Sequence, residues 1–262
     1  SHTLTWSGGN GYLVAKLANY VGRDNIMANT LVAKAEVEGE WVRLGLLDLT
    51  NGDKVMLRVR ALVYAGKLHT APHVVVGMAS EQAAAMRSIS YSPWLVAAIF
   101  LKEPLADYTT WDNVLYDSPS VGYVVADHHR DGSGRVLVYY WPFTDDLEAS
   151  RRRLLREGHQ YWVSHILADL HPAHPDIYDK VERIDLYRWG HGMPRPVPGS
   201  LWGAAAQLRC RPLERIFFAS CDASGLPLCE EAVYSGIRAA EDALECIGHP
   251  CATSLAGLAH DA

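Results

Sequence analysis

The chain has 262 residues, 49% hydrophobic and 21% charged, with a formal net charge of −6. This is the balance of a globular protein with material for one large or two modest cores, and it excludes the basic footprint of a nucleic-acid binder. No stretch approaches the ~18 apolar residues of a membrane span, the opening SHTLTWSGGNG lacks the flank and core of a secretory signal, and five cysteines, all in the last fifth, favour a reducing compartment such as the cytoplasm over a disulfide framework.

In chain order, Gly8-Gly9-Asn10-Gly11 predicts a turn, and Leu13, Val14, Leu17, Ala18 and Val21 recur at helical spacing up to Gly22. Residues 28–65 read as a three-stranded antiparallel meander, with turns at Glu38-Gly39-Glu40 and at Asn51-Gly52, the latter a strong hairpin signal. A short helix over 81–87 and a strand over 94–102 follow. GYVVADHH and VLVYYWPF read as strands about a polar turn at 130–134. One long helix is expected over 147–170, ended by Pro172 and Pro175, with Arg151-Arg152-Arg153 as a solvated face. VERIDLYRW reads as a strand. GHGMPRPVPGSLWG holds three prolines and four glycines, which predicts an irregular segment of the kind that carries function. RIFFASCDASG and CEEAVYSGIRAAEDAL close the chain as a strand, a tight turn and a helix.

Elements of one kind open and close the chain around a mixed strand-helix block. The fold class is therefore α/β, of the mixed α+β kind, with two domains sharing one polypeptide. Residues 1–78 and 206–247 are expected to form one domain, 79–205 the other, and 248–262 a tail. No repeat of 20–50 residues is present. No metal is expected. Cys246, His249 and Cys251 match no zinc spacing, and His165, His171 and His174 straddle a proline-broken helix end without fixed ligand geometry.

Four stretches, in order, carry a family resemblance: SGGNGYLVAKLA, IMANTLV, YSPWLVAAIFLKEPL, and RIFFASCDASG with CEEAVYSGIRAAE. From Ser7 to Leu244 the sequence resembles the C-terminal half of the flavin-containing amine oxidase family. The resemblance implies part of a two-domain FAD-dependent fold, with the meander and closing strand-helix in the FAD domain and a mixed-sheet substrate domain. It implies oxidation of a small-molecule amine by hydride transfer to flavin. On the cofactor side it assigns the backbone near Val32 to the adenine. Ser220, Cys221 and Asp222 fall to the closing turn, with Asp222 accepting hydrogen bonds from ribityl hydroxyls. Glu230, Glu231 and Ala232 begin the helix that faces the flavin ring. Physically, a tight turn into a helix start offers unpaired N–H groups and a positive dipole end to a reduced flavin's negative edge. The residues alone also allow Asp222 to cap a helix near Pro227, and Glu230 and Glu231 simply to suit a helix dipole.

The pattern departs from the family in several places. No GxGxxG is present, and Gly8-Gly9-Asn10-Gly11 has the wrong spacing. FAD binding is thus expected to need the missing N-terminal dinucleotide-binding half or a companion subunit. Val96 stands where many amine oxidases carry lysine. Ser220 and Glu231 stand where glycines are usual, and neither Cys221 nor Cys229 has the context of a covalent flavin link. On the substrate side, the resemblance nominates Trp189 as a wall and His191 as a polar group. Tyr139, Tyr140, Trp141 and Trp202 are further candidates. Strand alternation puts Tyr139 and Trp141 on one face and Tyr140 on the other. A structural histidine and core aromatics are the competing readings. Two other functions fit the same residues: a flavin-dependent desaturase acting on an apolar substrate, and a non-catalytic interaction subunit.

Overall fold

The computed structural model describes residues 6, 8–106, 110–127 and 133–256; the expected turn at 130–134 lies mostly outside the described residues. In chain order the elements are α1 (Asn10–Val21), β1 (Thr30–Glu38), β2 (Trp41–Asp48), β3 (Lys54–Val59), β4 (Leu62–Tyr64), α2 (Ala71–Val74) and α3 (Ser80–Arg87). Then come β5 (Tyr91–Leu101), β6 (Asp112–Asn113), β7 (Gly122–Val125), β8 (Val136–Pro142), α4 (Leu147–Arg156), α5 (His159–Leu170) and α6 (Ile177–Lys180). The chain finishes with β9 (Val181–Pro194), α7 (Ala204–Cys210), β10 (Ile216–Phe218), α8 (Cys221–Ser224) and α9 (Cys229–Cys246). They divide into two compact units: residues 1–26 with 91–193, and residues 27–90 with 194–262. Helix α1 therefore groups with the 91–193 block, where the sequence had suggested the meander, and the junctions fall at Ser90/Tyr91 and Met193/Pro194.

The first unit is built on a five-stranded sheet of order β6-β7-β8-β5-β9. Alternation along β5 explains its layering. Leu95, Ala97, Ile99 and Leu101 are buried, whereas Trp94, Val96, Ala98 and Phe100 are half-buried on the opposite face. The buried face meets Leu154 of α4 and Trp162, Ile166 and Leu170 of α5 in one core. Each such fully buried side chain contributes about 1.5–3 kcal/mol through area removed from water. Several polar groups within the sheet are satisfied locally. Asp169 accepts from the Tyr139 hydroxyl at 2.6 Å and the Ser118 hydroxyl at 2.8 Å, and Tyr123 meets His174 Nε2 at 2.7 Å. Burial, followed by the Asp169 bond, pushes the Tyr139 phenol far above its ordinary range.

Two expectations for this unit are corrected. The single helix over 147–170 is two helices, because Glu157 and Gly158 adopt extended backbone (ψ 145° and 169°) between α4 and α5. Glycine's weak helix propensity makes that position a natural break. His159 then ties the start of α5 to the Ile184 carbonyl at 2.9 Å. The glycine- and proline-rich segment is not wholly irregular either, since β9 continues through Pro194. Its glycines permit close approach: a Cβ on Gly192 would stand 2.8 Å from Cδ1 of Trp94. Gly122, at φ +94°, is tighter still, with a Cβ placed 2.0 Å from the Asn113 carbonyl oxygen.

The second unit holds the antiparallel meander β1-β2-β3 and a parallel pair, β4 with β10. The hairpin expected at Asn51-Gly52 forms there, with Gly52 at φ +81°. A register shift between Val32 and Lys34 interrupts the β1–β2 ladder. The core gathers Ala35, Val42 and Leu44 from the meander with Leu68, Met86, Ile216 and Phe218.

Candidate active site

On the half-buried face of the five-stranded sheet lies a cavity of about 560 Å³. Val96 of β5 and its register partner Tyr140 of β8 contribute to it side by side, with Trp94 two residues earlier along β5. Val121 precedes β7, and Trp189, Gly192 and Met193 come from β9. No carboxylate, ammonium, guanidinium or imidazole is among these lining residues. The polar side-chain groups are the indole N–H groups of Trp94 and Trp189 and the Tyr140 hydroxyl. Burial, with the nearby charge of Asp112 adding to it, pushes the Tyr140 phenol up, so it stays protonated and uncharged at neutral pH. The Trp94 N–H is itself buried without a hydrogen-bond partner.

Of the aromatics nominated from sequence, the cavity brings together Trp189 and Tyr140, and Val96 joins them. Tyr139 is fully buried in the core on the other side of the sheet, and Trp141 packs there against Phe143 at 5.2 Å. The alternation expected for this strand is therefore what the structure has. His191 does not line the cavity. Its ring meets the edge of Tyr91, at 5.6 Å, and Tyr91 is buried. His191 is exposed on β9, two residues after Trp189. Trp202, in the other unit, is 90% exposed and lines none of the cavity. Sequence reasoning passed over Trp94 and Gly192. The parity of β5 held the signal for Trp94, since it must share a face with Val96; Gly192 gave none until its neighbour was known.

The second unit carries the closing turn. Strand β10 runs through Ala219 into α8, whose N-cap is Ser220: its hydroxyl accepts from the Asp222 N–H at 3.2 Å, and its own N–H donates to the Ser235 hydroxyl at 3.1 Å. Arg238 donates to the Phe218 carbonyl at 3.0 Å, tying α9 to the end of β10. Asp222 is 0% exposed. Its carboxylate accepts from the Leu68 N–H at 2.9 Å and pairs with Lys67 Nζ at 3.5 Å. It does not cap α9, which begins at Cys229 without a side-chain cap; the carboxylate ties the turn to the backbone at Leu68. Cys221 beside it is half-buried, and burial first, then the Asp222 charge, push its thiol up. Helix α9 starts at Cys229 without a side-chain cap, with Glu230 exposed, Glu231 half-buried and Ala232 exposed in its first turn. Val32 is partly buried and packs its side chain against the unit's core. No group of three or more metal-binding side chains occurs among the described residues.

Residues 1–244 match the family described as flavin containing amine oxidoreductase. The chain belongs to that family. A curated relative, Oxidoreductase PigB of Serratia sp. (strain ATCC 39006), is 23% identical over 255 residues, covering 90% of this chain and 38% of its own length. Among solved structures, cyclohexylamine oxidase from Brevibacterium oxydans IH-35A superposes with a TM-score of 0.68 at 17% identity, covering 92% of this chain and 54% of that one. A triple mutant of putrescine oxidase, from a redesign of its cofactor binding, gives 0.72 at 16%, covering 91% and 53%. At that identity the likeness shows the fold: a mixed α/β oxidoreductase architecture of this flavin family. The chain spans 38% of the curated relative and about half of the two oxidases. No helix among the described residues is long and apolar enough to cross a membrane.

Proposed function

We propose that this chain supplies the substrate sheet and the flavin-closing turn of an FAD-dependent amine oxidase. The apolar, aromatic-walled cavity on the five-stranded sheet carries the reading, in a chain whose family match spans both units. Oxidation of an amine by hydride transfer needs the substrate carbon held still and dry. Trp189 and Trp94 supply flat walls, Val96 and Tyr140 a floor, and the lack of charged lining favours a neutral amine over its ammonium ion.

The closing turn fits the flavin-ring side of the cofactor. The start of α9 has no side-chain cap, and its backbone N–H groups at Glu230 and Glu231 suit a negative ring edge, with Ala232, whose N–H donates to the Leu228 carbonyl, completing the first turn. Ser220 and Cys221 are partly exposed and would lie closest to it, with the backbone at Val32 toward the adenine. Asp222 positions this turn from within. A bound flavin supplies the two-electron acceptor for the substrate carbon. The pyrophosphate-gripping GxGxxG occurs nowhere in the 262 residues, so we assign it to a dinucleotide-binding portion supplied by the rest of the protein or by a companion chain. Exposed apolar residues on α1, among them Leu13, Val14, Leu17 and Val21, and on β3, Val55, Met56 and Leu57, suit such a partner.

The absence of a lysine at Val96 and the apolar lining also favour a second reading, dehydrogenation of an uncharged carbon framework in the manner of a desaturase. Anaerobic addition of candidate substrates to the flavin-loaded protein separates the two. Amine-dependent loss of visible flavin absorbance supports the oxidase, and bleaching only by apolar non-amines supports the desaturase. Trp189→Ala should slow the bleaching roughly 100-fold by loosening the bound geometry. No bleaching by either class refutes both.

A further inference from the structure

The cavity differs from a general amine site in one respect: among the described residues that line it no side chain carries a negative charge, and the carboxylate of Asp112, whose charge reaches the Tyr140 hydroxyl, does not itself line it. An ammonium ion moved from water into such a lining loses its hydration and gains neither a carboxylate nor a carbonyl cradle from the side chains that face it. The three polar side-chain groups there do not replace one. Two are indole N–H groups, which only donate, and the third is a neutral phenol, whose oxygen can accept a hydrogen bond but carries no charge. Aromatic faces attract cations, by about 0.5–2 kcal/mol, but that is small against the several kcal/mol needed to strip an ion of water.

The depth of the cavity depends on a missing side chain. The Trp94 indole lies against the backbone of Gly192, close enough that a Cβ there would come within 2.8 Å of Cδ1 and 3.1 Å of Cβ and Cγ. The near atoms belong to the root of a half-buried ring and to its own Cβ, not to the far end of a flexible chain, so any larger residue must tilt the ring. Trp94 lines the cavity, as do Gly192 and its neighbour Met193. At about 560 Å³ the space suits a small molecule of one or two rings or a ring with a short alkyl chain.

We propose that this cavity selects an uncharged, largely apolar ring-bearing substrate over cationic amines and polyamines, and that the Gly192–Trp94 contact sets its depth. The proposal rests on the cavity being the substrate slot, but not on flavin, because the test reads ligand binding to the chain itself. Benzyl alcohol and benzylamine have nearly the same shape and differ in charge at pH 7, where an aliphatic amine is protonated. Their binding is followed by shifts of the Trp94 and Trp189 indole N–H resonances in ¹⁵N-labelled protein, with 1,4-diaminobutane as a dication.

Benzyl alcohol should shift both resonances and bind at least tenfold more tightly than benzylamine at pH 7. The difference should shrink as the pH rises toward the amine's own pKa, and the diamine should shift neither. Gly192→Ala should weaken benzyl alcohol at least fivefold, and Val96→Glu, which adds a carboxylate on the floor, should reverse the preference toward benzylamine. Equal binding of the two probes at pH 7, shifts caused by the diamine, or no shift with either ring probe overturns the proposal. If both variants fail to fold, the comparison in the unaltered chain still decides it. A flavin that never bleaches would refute the oxidase reading and leave this result standing, whereas charge-blind binding would refute the selectivity and leave the oxidase reading intact.

Discussion

At the residue scale the decisive group is Asp222, because a fully buried carboxylate is costly unless every lone pair has work to do. Its partners are close in space and far apart in sequence: the Leu68 N–H lies 154 residues away along the chain. Asp222→Ala would strand that N–H and leave Lys67, which is about one-third exposed, to solvent. The expected loss is about 2 kcal/mol, dominated by the unsatisfied amide because the exposed lysine can rehydrate. Urea denaturation followed by tryptophan fluorescence measures it. The same substitution removes the negative charge beside Cys221, which helps hold that thiol up. The cysteine should therefore alkylate faster at pH 8 in the variant than in the parent, as read by peptide mass spectrometry. An Asp222 that faced only solvent would show neither effect.

At the scale of elements, glycines decide which strands can meet. Gly122 opens β7 with a positive φ and a virtual Cβ 2.0 Å from the Asn113 carbonyl oxygen, a contact with backbone that no rotamer relieves. Gly122→Ala should cost at least ~2 kcal/mol, combining the strained φ with separation of β6 from β7. The loss should appear as a lowered thermal midpoint and as rapid hydrogen exchange at Tyr123 and Val124. How far the elements were legible in sequence follows the same logic. The meander was readable because Asn-Gly fixes its own turn and its flanking residues alternate. Strand β5 was readable because its alternation is regular, and that parity also contained Trp94 once Val96 was marked. The break between α4 and α5 was not, since a single glycine in an amphipathic run lowers helix propensity without forbidding helix. The extension of β9 through Gly190, Gly192 and Pro194 was hidden for a related reason. Glycine and proline signal irregularity unless a neighbour such as Trp94 needs the space, and that neighbour is contributed by a strand some hundred residues earlier.

At the scale of the whole molecule, an apolar aromatic cavity lies in one unit, the turn proposed to face flavin lies in the other, and the 262 residues contain no GxGxxG. FAD gains much of its binding from the pyrophosphate and adenosine, so the chain alone should hold it weakly. Titration should give a Kd no tighter than about 10 μM, in the range of −7 kcal/mol or less, read by quenching of flavin fluorescence. A stoichiometric, tightly held yellow chromophore in the purified chain would contradict that assignment.

The parallel pairing of β4 with β10 has a consequence for how the protein is made. Strand β4 sits at residues 62–64 and its partner at 216–218, with the whole five-stranded sheet inserted between them. On the ribosome the inserted block, 91–193, emerges complete while β4 still lacks its partner strand β10. Loop closure across so long an insert is slow and leaves an open edge waiting. Synthesis therefore imposes an order, in which the central block can fold before the flanking one, which is sealed only when residues 216–218 leave the exit tunnel.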